Sequence, residues 1–176
     1  MKNRTLKLNE DIIQFFPLFL SDHRGSLLKS YSQEDFLSRG IHFSPVEETF
    51  LKSNQNVLRG LHFSKTLKQS KLITCISGKV QLVAVNVDKK SSSLGNWFSY
   101  ELTENVVIYI PGHYAIGTYA FEDTLFHLGY GEKFMTENNA GIRWNDSYIG
   151  IEWELKDEKP IIAAKDLRLP LFKEMC

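Results

Sequence analysis

The chain has 176 residues, 43% of them hydrophobic, which favours one globular domain with a sizeable core. Its 21 lysines and arginines balance 21 aspartates and glutamates, so no overall charge favours nucleic acid or an anionic membrane as a partner. No apolar stretch is long enough to span a membrane, and the first residues lack the apolar segment of a signal peptide. These features predict a cytoplasmic protein that binds any anionic ligand through a local cluster of basic side chains.

The first third of the chain predicts short strands and one helix. Residues 12–20, IIQFFPLFL, are apolar and contain Pro17, which predicts an edge strand or two strands that meet at a bend. Residues 21–31 begin with turn residues and continue into a further strand. The charged start and glycine stop of residues 33–40 predict one short helix.

The remaining sequence alternates strand patterns with turn signals. The predicted strands cover 48–54, 56–63, 71–76, 80–87, 96–102, 106–110, 115–121 and 125–130. Many short strands with a single helix predict an all-β fold, either a β-sandwich or a small barrel such as a jelly roll. The tail from Asp157, which contains Pro160 and Pro170, is expected to cover the barrel and to include a helical turn. Residues 1–176 are therefore expected to form one domain.

Several common catalytic motifs are absent from the sequence. There is no GxSxG, GxGxxG or P-loop motif, and Cys75 lies inside an apolar strand, which predicts a buried thiol. A metal-binding cupin would carry a second histidine two residues after His62, where this protein has Ser64. His113 alone does not complete a ligand set. The sequence therefore predicts a protein without a bound metal or other cofactor.

The segment NVLRGLHFS, residues 56–64, places Arg59 and His62 on either side of Gly60. Glycine weakens a strand and usually marks a close approach to its backbone. A ligand that lies against the strand, with Arg59 and His62 reaching it over the glycine, explains this arrangement. A simple turn with a structural histidine is the alternative.

A series of motifs occurs in a fixed order along the sequence: SDHRG, NVLRGLHFS, KLI followed by SGKVQLVAVNVDKKSSSLGNW, IPGHYA, AGIRWNDSYIGIEW and PIIAAKD. Together they resemble the dTDP-4-keto-6-deoxyglucose 3,5-epimerase family over residues 15–168. The resemblance implies a metal-free, cupin-type jelly roll that works as a homodimer with exchanged N-terminal strands. It also implies a cofactor-independent reaction that moves protons on the carbons next to the 4-keto group of a nucleotide-linked sugar.

The resemblance assigns roles to three residues at the reacting carbon. His62 is the base that removes the proton, and Asp166 orients its ring and stabilises its cationic form. Lys71 matches the lysine that lies beside the 4-keto oxygen, where a positive charge stabilises the enolate.

The resemblance also assigns basic residues to the diphosphate. Arg24 and Arg59 match the arginines that hold it through charge-assisted hydrogen bonds. Arg143 and Lys165 are further substrate-binding candidates, for which a purely structural role is the alternative.

The sequence departs from the family at the general acid. Leu128 and Phe134 occupy the positions of two family tyrosines, the earlier of which is the acid. Tyr130 lies two residues from Leu128, on the same face of a strand, and is expected to replace the acid. His127 is expected to point the other way, and Phe134 is expected to contact the substrate without donating a proton.

Two further departures concern substrate recognition. Ala115 stands where the family has a histidine, and His113, two residues earlier on the same face, is a substitute candidate. Lys29 stands where the family carries a glutamate that accepts the thymine N–H, and a lysine has no acceptor to offer. A GDP-linked sugar is therefore a candidate beside a dTDP-linked one.

The sequence thus predicts an isomerase that inverts C3, or C3 and C5, of a nucleoside-diphosphate 4-keto-6-deoxy sugar. The sugar is a hexose or a heptose used in capsule, lipopolysaccharide or other surface polysaccharide biosynthesis. A related 3,4-ketoisomerase is an alternative, although Ser64 and Lys65 do not supply its additional histidines. A non-catalytic jelly roll that binds nucleotide sugars is the other alternative, but it would not require a His–Asp pair.

Overall fold

The computed structural model describes residues 4–7, 11–156 and 159–175, and in these ranges the protein is almost entirely β-structure. The strands are β1 Arg4–Lys7, β2 Ile13–Phe16, β3 Phe19–Asp22, β4 Gly25–Leu28, β5 Glu47–Ser53, β6 Val57–Ser64, β7 Lys71–Ser77, β8 Lys79–Asn86, β9 Trp97–Thr103, β10 Val107–Ile110, β11 Tyr114–Ala120, β12 Thr124–Tyr130, β13 Asn139–Gly141 and β14 Ile161–Ile162. The helices are α1 Gln33–Leu37 and α2 Ala164–Leu167, with 3₁₀ helices at Thr136–Asn138 and Phe172–Glu174. No helix in the described part of the protein is long and apolar enough to cross a membrane.

Two sheets form the body of the protein. The first has the strand order β1-β2-β10-β7-β12-β5, and the second has the order β13-β6-β11-β8-β9, with β14 added in parallel beside β6. Apolar side chains from both sheets meet in one buried cluster that includes Ile73 and Phe126 from the first sheet and Leu82 and Leu102 from the second. The prediction of an all-β, cupin-type jelly roll is confirmed.

The outer face of the second sheet is also buried. Val83 and Val85 of β8 point away from the first sheet and pack in a second cluster with Ile149 and Phe172. Both faces of β8 are therefore covered, which explains why residues 82–85 are all apolar. A half-exposed strand would alternate apolar and polar residues. The residues that follow β12 supply this outer layer, and they bring α2 close to β6.

Most of the sequence-based elements are confirmed, with small shifts at their ends. The apolar run that contains Pro17 forms two strands, β2 and β3, which end and begin on either side of the proline. The predicted helix is α1. Its N-cap residue, Ser32, accepts a hydrogen bond from the Asp35 amide. Cys75 is fully buried, and burial raises the pKa of its thiol to about 12.

The hairpin β3–β4 stands apart from the two sheets. Its strands pair with each other and, among the described residues, with no other strand. Phe19, Leu20 and Leu27 are 44%, 55% and 57% exposed. Exposed apolar side chains clustered on one element are typical of a protein–protein contact surface.

Candidate active site

A cavity of about 520 Å³ opens at one end of the jelly roll, between β6 of the second sheet and β5, β7 and β12 of the first. The segment β14–α2 closes one side of it. The cavity brings together most of the residues that the sequence singles out, namely Arg59, His62, Lys71, Tyr130, Phe134, Lys165 and Asp166.

His62 and Asp166 form a pair at the wall of this cavity. The distance between His62 Nε2 and Asp166 Oδ1 is 3.1 Å, and the Gly60 amide donates to Asp166 Oδ2 at 3.2 Å. Asp166 is only 3% exposed. The parallel pairing of Ile161 with Val57 places α2 beside β6 and so carries the carboxylate to the histidine.

The pairing determines which ring nitrogen of His62 carries the proton in the neutral ring. A carboxylate only accepts hydrogen bonds, so Nε2 carries the proton in the neutral ring and Nδ1 keeps the lone pair. Nδ1 is shielded from solvent and has no hydrogen-bond partner among the described residues. The carboxylate also stabilises the imidazolium that forms when Nδ1 takes a proton. His62 is therefore arranged as a general base.

The three-residue spacing of Arg59 and His62 has a structural cause. Opposite them on β11, Thr118 pairs with Arg59 and Ile116 pairs with His62, so three steps along β6 match two along β11. This irregularity is a bulge, which lets two residues three apart line the same cavity.

Gly60 is required by the neighbouring strand. Its φ is +103°, and a Cβ at this position would lie 2.5 Å from the Ile116 carbonyl oxygen and 2.8 Å from the Gly117 Cα. The sequence suggested that this glycine makes room for a ligand, and the structure corrects that interpretation. Gly60 makes room for β11.

Gly60→Ala is expected to destabilise the protein by about 2–5 kcal/mol, because it combines a disfavoured φ with overlap against backbone atoms. Gly150→Ala is the matched control, since Gly150 also has a positive φ, +65°, but open space around its Cα. The control is expected to cost only about 1–2 kcal/mol. Urea unfolding measures both changes, and equal losses would contradict the close approach of β11.

Lys71 and Tyr130 lie directly opposite each other on β7 and β12, and both side chains face the cavity. The Tyr130 hydroxyl is 3.4 Å from the Thr49 hydroxyl on the next strand. The Lys71 ammonium group has no ion pair or hydrogen bond with another described residue, and burial lowers its pKa to about 8. At neutral pH the cavity therefore holds a cation whose charge is not neutralised by the protein.

Arg59 is held against the cavity wall by two hydrogen bonds. Its Nε donates to the Ser53 hydroxyl at 2.9 Å, and its Nη2 donates to the Lys52 carbonyl at 3.0 Å. Lys165, on the exposed side of α2, lines the same cavity. Neither side chain forms an ion pair within the described ranges, so together with Lys71 they make the cavity attractive to an anion.

Comparison with known proteins identifies the family. The family profile described as dTDP-4-dehydrorhamnose 3,5-epimerase matches residues 7–174. The chain belongs to this family. Its members are isomerases, and the family resemblance predicted from the motifs is confirmed.

Individual relatives are similar over nearly their whole length. The dTDP-4-dehydrorhamnose 3,5-epimerase of Salmonella typhimurium is 34% identical over 171 residues, which are 93% of this protein and 92% of the relative. The crystal structure of the Sulfolobus tokodaii epimerase has a TM-score of 0.89 and 30% identity, with coverages of 99% and 97% for the two proteins. The Legionella pneumophila epimerase in complex with dTDP-4-keto-L-rhamnose has a TM-score of 0.90 and 25% identity, with coverages of 98% and 95%.

The two family tyrosine positions carry no acid in this protein. Leu128 faces the cavity side of β12, on the same face as Tyr130, while His127 lies on the opposite face against Phe50. Phe134 is 44% exposed at the rim of the cavity. The predicted orientations of Leu128, Tyr130 and His127 are therefore observed.

Arg24 and Lys29 do not line the cavity. Arg24 sits at the exposed turn of the β3–β4 hairpin, where its Nη2 is 2.6 Å from Asp22 Oδ2. Its guanidinium holds the pKa of the Asp22 carboxyl below its usual value. Lys29 follows the hairpin and lies 3.1 Å from Asp35.

His113 is not a cavity residue in this structure, which corrects the assignment made from the sequence. Its Nε2 lies 2.9 Å from Asp11 Oδ2, and its ring packs on Tyr114. The β11 side chains that lie next to Arg59 and His62 are those of Ile116 and Thr118. Across the described ranges, no group of three histidine, cysteine or acidic side chains is arranged to hold a metal ion.

Arg143 also lies outside the cavity and has a structural contact. Its Nε donates to the Leu169 carbonyl at 3.1 Å, and its amide donates to the Pro170 carbonyl. These bonds hold the tail against the second sheet. The structure therefore favours the structural alternative for Arg143.

Sequence reasoning missed two polar residues, one that lines the cavity and one that lies outside it and contacts Tyr130. Gln69 is 5% exposed, lines the cavity and donates from Nε2 to the Glu132 carbonyl at 3.1 Å. Thr49 contacts Tyr130, as described above. Two features of the sequence could have indicated these residues. One is the alternation of side chains along β5, which contains Thr49, and the other is the position of Gln69 two residues before Lys71.

Proposed function

We propose that the protein inverts C3 of a nucleoside-diphosphate 4-keto-6-deoxy sugar. The observation that carries this proposal is the cavity itself, in which a carboxylate-oriented histidine faces a ligand space shared with an unpaired lysine cation. A base and a cation at one site are what removal of a proton next to a ketone requires. The relatives named for dTDP-linked sugars support a nucleotide-linked substrate.

Each step uses a residue of the cavity. The His62 ring takes the proton from the carbon next to the keto group, and the electron pair of that C–H bond moves into an enolate. The Lys71 ammonium stabilises the developing negative charge on the keto oxygen. Protonation of the same carbon from the opposite face then inverts it, and the medium restores the proton balance of the two side chains.

We assign the second proton donor to Tyr130. It is the phenol that lines the cavity across from Lys71, whereas Leu128 and Phe134 have no proton to give. A single donor near one ring position favours inversion at C3 alone, and inversion at both C3 and C5 is the alternative that the experiment must separate.

Incubation in heavy water with dTDP- and GDP-linked 4-keto-6-deoxy sugars tests the reaction. The expected result is one deuterium in the epimerised product, located at C3 by NMR. Deuterium at C3 and C5 would show double epimerisation, migration of the carbonyl would show a ketoisomerase, and binding without any deuterium would show a non-catalytic protein.

Tyr130→Phe is expected to lower inversion by about 10²-fold or more while leaving proton removal by His62 largely intact, because a general acid typically contributes 10²–10⁴-fold. Substrate recovered from heavy water should then contain deuterium without inversion. Thr124→Ser, at the other end of the same strand, is a control expected to react normally. Unchanged inversion in Tyr130→Phe would leave water as the donor.

Arg59→Ala is expected to weaken binding of the free nucleoside diphosphate by about 1.5–3 kcal/mol, the value of a charge-assisted hydrogen bond. Calorimetric titration with dTDP and with GDP measures this loss and also shows which base is preferred. Lys68→Ala, an exposed lysine of the neighbouring loop, is the control. Equal affinity in Arg59→Ala and the control would place the diphosphate elsewhere.

The assembly and setting of this reaction remain part of the proposal. A homodimer in which the β3–β4 hairpin reaches the partner would bury its apolar side chains and bring Arg24 and Lys29 to a substrate. A monomer by light scattering would argue against this arrangement. A role in surface polysaccharide synthesis in the cytoplasm is the setting expected for such an enzyme.

A further inference from the structure

The hydroxyl of Tyr130 has one hydrogen-bond partner in the described part of the protein. Its oxygen lies 3.4 Å from the hydroxyl oxygen of Thr49 on β5. Lys71 faces Tyr130 from the other side of β12, but its ammonium group forms no hydrogen bond with the phenol. Thr49 is therefore the residue that can hold the phenol of the proposed proton donor in place.

The strand register shows which way the Tyr130 side chain leans. On β5 the residue directly opposite Tyr130 is Glu47, whereas Thr49 lies opposite Leu128. Thr49 and Tyr130 are thus diagonal neighbours, which on adjacent strands lie about 7–8 Å apart and meet only through a long side chain. The contact between the two hydroxyls therefore requires the Tyr130 ring to lean along β12 toward Leu128.

A lean toward Leu128 directs the phenol into the site. The next residue on this face of β12 is Phe126, which is 1% exposed, so this direction leads from the cavity toward the core. Leu128, Tyr130 and His62 line one space between the two sheets. Thr49 thus turns the phenol toward the part of the site where the proposed base lies.

The chemistry of a proton donor decides the direction of this hydrogen bond. A phenol has one proton, and a Tyr130 that donates it to Thr49 cannot give it to a sugar carbon. Thr49 must therefore donate, and the Tyr130 oxygen must accept. The bond becomes stronger once Tyr130 has lost its proton, because the phenol oxygen is then charged. The branched side chain of threonine also restricts rotation of its hydroxyl away from this position.

We propose that Thr49 is the positioning residue for the proton donor of the reaction. It donates a hydrogen bond to the Tyr130 oxygen, leaves the phenol proton free to face the sugar, and stabilises the phenolate that remains after this proton has moved. Thr49 keeps its own proton throughout. This inference rests on the proposed function, in which Tyr130 protonates the carbon from the face opposite His62. Inversion then depends on Thr49, whereas proton removal does not.

Thr49→Val removes the hydroxyl and preserves the shape of the side chain. Inversion of dTDP- and GDP-linked 4-keto-6-deoxyhexoses is expected to slow about tenfold, the usual effect of losing one hydrogen bond. The loss should appear in kcat, with KM unchanged. In heavy water, deuterium exchange into the recovered substrate, which depends on His62, should continue at the wild-type rate. Thr49→Ser keeps the hydroxyl and should invert the sugar at nearly the wild-type rate.

Two further variants separate this role from a purely structural one. Thr103→Val, the same change on β9 and outside the cavity, is the control and should react like the wild type. In the Tyr130→Phe background, Thr49→Val should cause no further loss, because its effect requires the phenol. The same additional loss in both backgrounds would overturn the inference.

Wild-type inversion in Thr49→Val, or an equal loss in Thr49→Val and Thr49→Ser, would also overturn the inference. The proposed function would still stand if Tyr130→Phe slowed inversion. Unchanged inversion in Tyr130→Phe would remove Tyr130 as the donor and the inference with it. Deuterium incorporation into neither sugar by the wild type would overturn the proposed function and the inference together.

Discussion

His62→Ala is expected to lower proton exchange at the carbon next to the keto group by about 10²–10⁴-fold, the usual contribution of a general base. The reason is the geometry of the pair, in which Asp166 accepts a hydrogen bond from His62 Nε2–H and the other ring nitrogen keeps its lone pair. Deuterium uptake followed by mass spectrometry measures the loss. The free nucleoside diphosphate should bind to the variant almost as tightly as to the wild type.

Asp166→Asn tests the other half of the pair. An asparagine amide can donate to the ring and so favours the tautomer with its proton on Nδ1, which is then no longer a base. Exchange is expected to fall nearly as far as in His62→Ala. His127→Ala is the control, since His127 lies on the outer face of β12 near Glu48. A wild-type rate of proton exchange in His62→Ala would contradict this mechanism.

Lys71→Met is expected to lower turnover by about 10²–10³-fold, the typical effect of removing one group that stabilises an oxyanion. The lysine has no described carboxylate partner, so its charge is available to the substrate oxygen. Lys79→Met is the control, because Lys79 pairs with Glu101 at the surface. Wild-type turnover in Lys71→Met would exclude Lys71 from the reaction.

The lowered pKa of Lys71, to about 8, gives this residue a pH signature. Activity that depends on the cation should decline as the pH rises through 8, and Lys71→Arg should move the decline to higher pH because arginine stays protonated. Burial disfavours the charged form in the folded state. The contribution of Lys71 to stability therefore rises between pH 8 and the unfolded value of 10.5, and Lys71→Met should not lower stability at pH 7.

The strands were predictable because each carries its own local pattern. Runs such as 71–76 and 80–87 are apolar, rich in β-branched residues and bounded by turns, and these local features are sufficient to define them. β1, β13 and β14 have two to four residues each and were missed. They form because a neighbouring strand has an edge to pair with. No local sequence pattern indicates which edge that is.

The candidate site was predictable in its chemistry and less so in its geometry. The motifs indicated His62 and Asp166, but the bulge that turns Arg59 and His62 to one side depends on pairing with β11. His113 was misplaced for the same reason. The face a residue takes near a turn depends on the register of the strand that follows.

A crystal structure of the protein with a bound nucleoside-diphosphate sugar tests the account most directly. A substrate analogue with a hydroxyl in place of the 4-keto group would remain unreacted. We expect sugar C3 within about 3–3.5 Å of a ring nitrogen of His62, the separation of a reactive complex, and the C4 oxygen within hydrogen-bonding distance of Lys71 Nζ. A sugar ring bound away from His62, or one whose C4 oxygen faces a group other than Lys71, would contradict it.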